Sequence, residues 1–159
     1  NIFESNLKLC SRMLKKNIEE DLKIGVFNFD PHNTHANNHA YNIVVCSDMI
    51  FMKENKTEIF TEFSRIMING CFIIISDIFK KDEADTTELE ESLGIPPVDT
   101  LETLKLHLLN SMPHDKRIDL VNTINYNDDL KNHACLIDNK CIIENIDKLV
   151  YSIVIFKIK

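Results

Sequence analysis

Apolar and polar positions repeat with two different periods along this chain, and the switches between them mark its elements. From Glu4 to Lys16 the period is helical, with Leu7, Leu9, Cys10, Met13 and Leu14 on one side and Glu4, Lys8, Arg12 and Lys15 opposite. From Leu22 to Phe29 residues alternate, with Leu22, Ile24 and Val26 on one face, which suits a strand. Asp30 to Ala40 is a polar loop led by Pro31. Tyr41 to Cys46 (YNIVVC) is nearly continuous in apolar residues, as expected of a strand buried on both faces. Glu54 to Ile68 is an amphipathic helix whose stripe is Ile59, Phe60, Phe63, Ile66 and Met67, with Asn69-Gly70 as its stop. Cys71 to Ser76 (CFIIIS) is a second buried strand. Strand, helix and strand in that order predict a βαβ unit with a right-handed crossover and parallel pairing.

Beyond Asp77 the pattern changes. Lys80 to Glu91 is acidic and weakly helical, an exposed stretch, and Ile95-Pro96-Pro97 breaks the chain. Asp99 to Asn110 predicts a helix with Leu101, Leu104, Leu108 and Leu109 inward and Asp99 or Thr100 as its cap. Arg117 to Asn125 predicts a strand with Ile118, Leu120 and Ile124 inward. Asp128 to His133 begins a polar helical stretch, and Val150 to Ile158 (VYSIVIFKI) is strongly β-prone. No βαβ helix separates these last two strands, which predicts an antiparallel edge on an α/β layered domain.

Composition narrows the function. The 159 residues are 44% hydrophobic and 27% charged, enough for one globular domain with a single core. The net charge of −7 argues against broad nucleic-acid backbone binding. No apolar run approaches the ~20 residues of a membrane span, and the mixed residues 1–16 are not a secretory signal. Five cysteines are an odd number, and Cys46 and Cys71 sit in apolar runs. They read as reduced small hydrophobes, which places the protein inside the cell, in the cytoplasm. Cys135 and Cys141 lack CxxC spacing. His32, His35 and His39 are interrupted by Pro31 and several asparagines, so no metal site is expected. Abundant Asn, Ile and Lys, all with AT-rich codons, suggest an AT-biased genome.

The stretch from Tyr41 to Phe79 resembles the fourth and fifth strands of class I S-adenosylmethionine-dependent methyltransferases. The matching positions are Tyr41-Asn42-Ile43-Val44, Ser47, Glu62, then Arg65-Ile66-Met67-Ile68-Asn69-Gly70-Cys71, and Asp77. Leu22 to Asp30 is similar to the third strand and its following turn. Asp119 to Ile124 and Val150 to Lys157 are similar to the antiparallel sixth and seventh strands. Asp129, Leu130 and His133 resemble the small-molecule N-methyltransferase branch, of sarcosine/dimethylglycine or phosphoethanolamine type. The resemblance implies a single partial methyltransferase-like domain over residues 1–159. Its fold would be α/β, with a Rossmann-like, mostly parallel sheet and an antiparallel C-terminal strand pair. The first strand and its glycine-rich turn are lacking, because the glycines, Gly25, Gly70 and Gly94, form no GxGxG.

The resemblance also implies S-adenosylmethionine as cofactor and a small amine as methyl acceptor. Asn1, where the family carries a ribose-binding acid, Asp30, Ser47 and Asp48 would contact the cofactor, with Asp30 on the adenine amino group. Asp77 and His133 would contact substrate. Each has a plainer reading. Asp30 could cap Asn33 or Thr34, Ser47 and Asp48 could cap a turn, Asp77 could be a structural strand-end acid, and His133 a helix-surface histidine. Arg65 is expected to pair with Glu62 three residues earlier.

Asn42, Met49, Lys53 and Cys71 depart from the family pattern. The missing turn, Asn1, Met49, Lys53 and Cys71 favour a second function: a catalytically inactive methyltransferase-like structural or interaction subunit. Without a first strand the sheet edge needs a cover, from upstream residues, a partner subunit or a second copy. The lack of a Met at position 1 leads to the expectation of upstream residues.

Overall fold

The computed structural model describes residues 30–47, 50–126 and 140–159. The expected helix at Glu4 to Lys16, the strand at Leu22 to Phe29 and the helical stretch at Asp128 to His133 lie outside the described residues. The chain divides into two compact units, Asn1–His35 and Ala36–Lys159. The described part of the first is a short turn. Asp30 O accepts from Asn33 N–H at 2.9 Å, and Asn33 Oδ1 accepts from His35 N–H at 3.3 Å.

The second unit holds the sheet. Its elements run β1 (Tyr41–Ser47), α1 (Lys56–Ile66), β2 (Met67–Lys80), α2 (Thr87–Leu93), α3 (Leu101–Ser111), β3 (Ile118–Asn125), α4 (Lys140–Glu144) and β4 (Leu149–Ile158). Single 3₁₀ turns lie at Ile50–Met52 and Ile146–Lys148. The strand order is β1-β2-β4-β3, with β1 parallel to β2 and the other two pairings antiparallel. The described sheet is therefore mixed rather than mostly parallel. The parallel pair around α1 and the antiparallel C-terminal strands are as the pattern predicts.

Alternation along β2 decides where the core lies. Cys71, Ile73, Ile75, Asp77 and Phe79 point to the inner face and are buried, while the residues between them are half-exposed. Ile59, Phe60 and Phe63 of α1 and Leu104 and Leu108 of α3 pack in the same core, with Val154 and Phe156 of β4. Both helices thus cover one face. That corrects the expectation that β1 is buried on both sides. Its Cys46 is buried, but Tyr41, Ile43 and Val45 are 46%, 53% and 66% exposed.

α1 stops at Ile66, four residues before the expected glycine. The loop ahead of β1 takes its last carbonyls, as His39 N–H donates to Arg65 O at 3.0 Å and Ala40 N–H to Ile66 O at 2.7 Å. The backbone passes straight into β2. Gly70 has φ +80° and sits where the β1/β2 register slips between Tyr41↔Met67 and Ile43↔Phe72. Its freedom there serves a bulge rather than a helix stop.

A second slip explains β3. Ile118 pairs with Ile158 and Leu120 with Phe156, but after the irregularity Asn122 pairs with Ile155 and Ile124 with Ile153. A one-residue shift turns later side chains to the other face, so Ile124 points outward and is 39% exposed. Leu120 keeps its face at the end of the sheet and is exposed there. Leu109 of α3 is likewise exposed. The acidic stretch is not wholly exposed, because Leu89 of α2 is buried in a second cluster with Val98 and Leu149. Thr100 caps α3, accepting from Thr103 N–H at 3.1 Å. Among the described residues no helix is long and apolar enough to cross a membrane.

Cys46 and Cys71 are buried, and Cys141 is half-exposed. Burial pushes the Cys71 thiol up, against a smaller opposing pull from the Lys116 charge. The fold thus favours the neutral thiol, a contribution complete below the ordinary thiol value and lost as pH rises from there through the raised value of the folded state. Native-state alkylation is expected to modify Cys141 rapidly and Cys46 and Cys71 only as the core opens. Peptide mass spectrometry over a time course checks the order, and equal rates at all three would contradict it.

Candidate functional site

In an open α/β sheet ligands gather at the carboxyl ends of parallel strands. Here that edge is formed by the end of β1 and the part of β2 beside it, at Ser76 and Asp77. Ser47 closes β1, is exposed, and pairs in register with Ser76. Ser76 Oγ lies 2.6 Å from Tyr151 Oη, reached from β4. Nearby on β4, Ser152 Oγ donates to Asn125 Oδ1 at 2.6 Å. The hydroxyls of Ser76 and Tyr151 were missed in the sequence. Strand alternation puts Ser76 on the face opposite Asp77, but the contact needs β4 beside β2.

Asp77, expected to face substrate, lies on the inner face and is 1% exposed. Its Oδ2 accepts from Ile50 N–H at 2.7 Å and Phe51 N–H at 3.3 Å, and its Oδ1 from Ile78 N–H at 2.8 Å. Ser47 and Asp77 therefore meet at one edge but on opposite faces. Asp30 is exposed in the first unit, where its Oδ1 accepts from His32 N–H at 3.0 Å and lies 2.7 Å from His32 Nδ1. Asn1, Asp48 and His133 lie outside the described residues.

Two polar clusters lie away from this edge. Lys56 Nζ meets Asp99 Oδ2 at 2.5 Å, with side chains only 4% and 11% exposed. Thr57 Oγ1 contacts His107 Nδ1 at 3.1 Å, and His107 Nε2 is 3.6 Å from Asp99 Oδ1. The second cluster lines a cavity of about 540 Å³ where α1 and α3 end, with His39, Arg65, Ser111 and Lys116 among its walls. Its basic side chains serve carbonyls at helix ends, in the loop and at the start of β2. Arg65 Nη1 donates to Ala36 O at 2.8 Å, Lys116 Nζ reaches Ser64 O at 3.5 Å, and His39 Nδ1 lies 3.0 Å from Met67 O. This placement follows the negative end of the helix dipole. Arg65 also makes the expected pair with Glu62, through Nε at 2.7 Å and Nη2 at 2.6 Å. That hydrogen-bonded carboxylate raises the guanidinium further above its ordinary value. Among the described residues no group of three His, Cys, Asp or Glu side chains is placed to hold a metal.

No protein-family model and no curated protein sequence matches the chain. Solved structures do. A candidate sarcosine dimethylglycine methyltransferase from Galdieria sulphuraria superposes with a TM-score of 0.64 at 14% identity, over 93% of this chain and 62% of its own. Geranyl diphosphate C-methyltransferase from Streptomyces coelicolor A3(2), solved with Mg2+, geranyl diphosphate and S-adenosyl-L-homocysteine, gives 0.66 at 11% identity, over 92% and 58%. The [4+2]-cyclase SpnF gives 0.65 at 8% identity, over 93% and 60%. The chain thus spans about 60% of the length of these proteins. With its β1-β2-β4-β3 order and its helices α1 and α3 on one face, the chain carries the α/β fold that these methyltransferases and this cyclase share.

Proposed function

We propose that this chain belongs to an S-adenosylmethionine-dependent methyltransferase acting on a small molecule, with an amine as the acceptor. The observation that carries the reading is the carboxyl edge of β1 and β2, where a parallel pair ends in an exposed serine and an anchored turn. Solved methyltransferases with S-adenosyl-L-homocysteine bound share this fold. Asp30 offers an exposed carboxylate suited to the adenine amino group, and Ser47 an exposed hydroxyl. Asn1 and Asp48 are assigned with them to the cofactor, and His133 to the acceptor. When bound, S-adenosylmethionine supplies a methyl group on a positively charged sulfur, open to in-line displacement. The protein's share is alignment and exclusion of water.

Titration of S-adenosylhomocysteine into the longest natural form of the protein tests this. Saturable binding is expected, weakened about 10- to 100-fold by Asp30→Ala, the range for losing a hydrogen bond to a charged group. A second reading is a methyltransferase-like scaffold without this activity. It is favoured by the cyclase that shares the fold. Absence of binding in a well-folded full-length sample would establish that alternative.

A further inference from the structure

We propose that Asp77 is a positioning residue for the carboxyl edge of β1, holding the turn that begins at Ile50, close in sequence to the candidate cofactor contact Ser47; this rests on the methyltransferase reading above. A carboxylate that is 1% exposed persists only where hydrogen bonds replace water. Asp77 finds them 27 and 26 residues away, on the N–H groups of Ile50 and Phe51. Those groups open the 3₁₀ turn Ile50–Met52, where N–H groups have no partner within the turn itself. A third bond, from its neighbour Ile78 N–H, orients the carboxyl group.

The donors explain the residue type. Three N–H groups converge on two oxygens, so the side chain must accept at both. A carboxylate does so. The amide of an asparagine would turn its own N–H₂ toward an N–H group. Asp77 is also not at a strand end, because β2 continues through Lys80.

The consequence lies at the carboxyl edge. On one side of positions 48–49, Ser47 is held by the ladder to Ser76. On the other, Ile50 is held by Asp77 and by its own side chain, 1% exposed in the core. Ser47 is thus held by the ladder and the turn at Ile50 by Asp77 and the core, and Asp77 supplies the polar half of the second anchor. It acts through the turn and touches neither cofactor nor acceptor.

The test combines amide hydrogen exchange at Ile50 and Phe51 with S-adenosylhomocysteine titration, using the longest natural form at a temperature where every sample is folded. Asp77→Asn is expected to speed exchange at those two amides while leaving Ile73 and Ile75 protected. It should weaken binding by between about 10- and 100-fold, the scale of a small misplacement of contacts. In the unaltered protein, the ligand is expected to slow exchange at Ile50 and Phe51, a readout that survives if Asp77→Asn fails to fold. Unchanged affinity with a loosened turn overturns the positioning role and leaves the methyltransferase reading standing. Ligand binding to the unaltered protein with no effect on these amides does the same. Absence of binding to the unaltered protein overturns both.

Discussion

Lys56→Ala is expected to destabilise the fold by about 3–5 kcal/mol, the usual cost of breaking a buried ion pair from one side. Lys56 and Asp99 are 43 residues apart and nearly sealed from water, 4% and 11% exposed, with Nζ and Oδ2 at 2.5 Å. The loss is large because Asp99 stays behind. Its backbone carbonyl is tied to Lys80 N–H at 2.9 Å, so the carboxylate cannot easily swing out to solvent. His107 Nε2, at 3.6 Å, can replace some of the charge only when protonated. Replacing both partners by apolar residues of similar size, Lys56→Met with Asp99→Leu, is expected to cost far less, because no unpaired charge remains. Urea unfolding with an unchanged m-value checks both variants. If Lys56→Ala lost less than about 1 kcal/mol, in the range of exposed pairs, the pair would be behaving as a solvated one.

Phe60→Ala is expected to cost a similar amount, about 3–5 kcal/mol, through a different mechanism. Phe60 is fully buried where α1 meets the inner face of the sheet, and its ring meets Phe63 edge-on at 6.0 Å and 67°. Removing it takes apolar surface out of the core and leaves a cavity that α1 cannot close while Ile59 and Phe63 still bind it to the sheet. Ile73→Val, on the facing strand, removes one methylene and should cost only about 0.5–1.5 kcal/mol. Thermal and urea unfolding of the two variants give the comparison. Equal losses would mean that the α1–sheet packing described here is absent in solution.

These two effects differ in how visible their causes are in the sequence. The stripe Ile59, Phe60, Phe63, Ile66 reads directly as one helix face, and all four are buried. The pair Lys56–Asp99 does not, since a lysine at the start of a helix and an aspartate after two prolines look like ordinary surface residues. The candidate site divides similarly. Ser47 and Asp77 are recognisable as polar residues that close apolar runs, and the short contact between Glu62 and Arg65 follows from helical spacing. The partners of Asp77 and the Ser76–Tyr151 contact, across separations of 27 and 75 residues, have no local signature.

By itself the sequence determined the types of β1, α1, β2, α3, β3 and β4, because period and propensity act over a few residues and each of these elements carries enough of both. It determined the parallel β1-α1-β2 unit, because an intervening helix of that length brings the chain back in the same direction. Tertiary structure decided the rest. It inserted β4 between β2 and β3, stopped α1 at Ile66 by giving its carbonyls to the loop before β1, and turned Ile124 outward through a register slip. It also left one face of β1 exposed and drew Asp77 inward onto the turn after β1. Each of these depends on which distant backbone groups and side chains are brought together, and a local pattern of apolar and polar residues says which face is to be covered without saying by what.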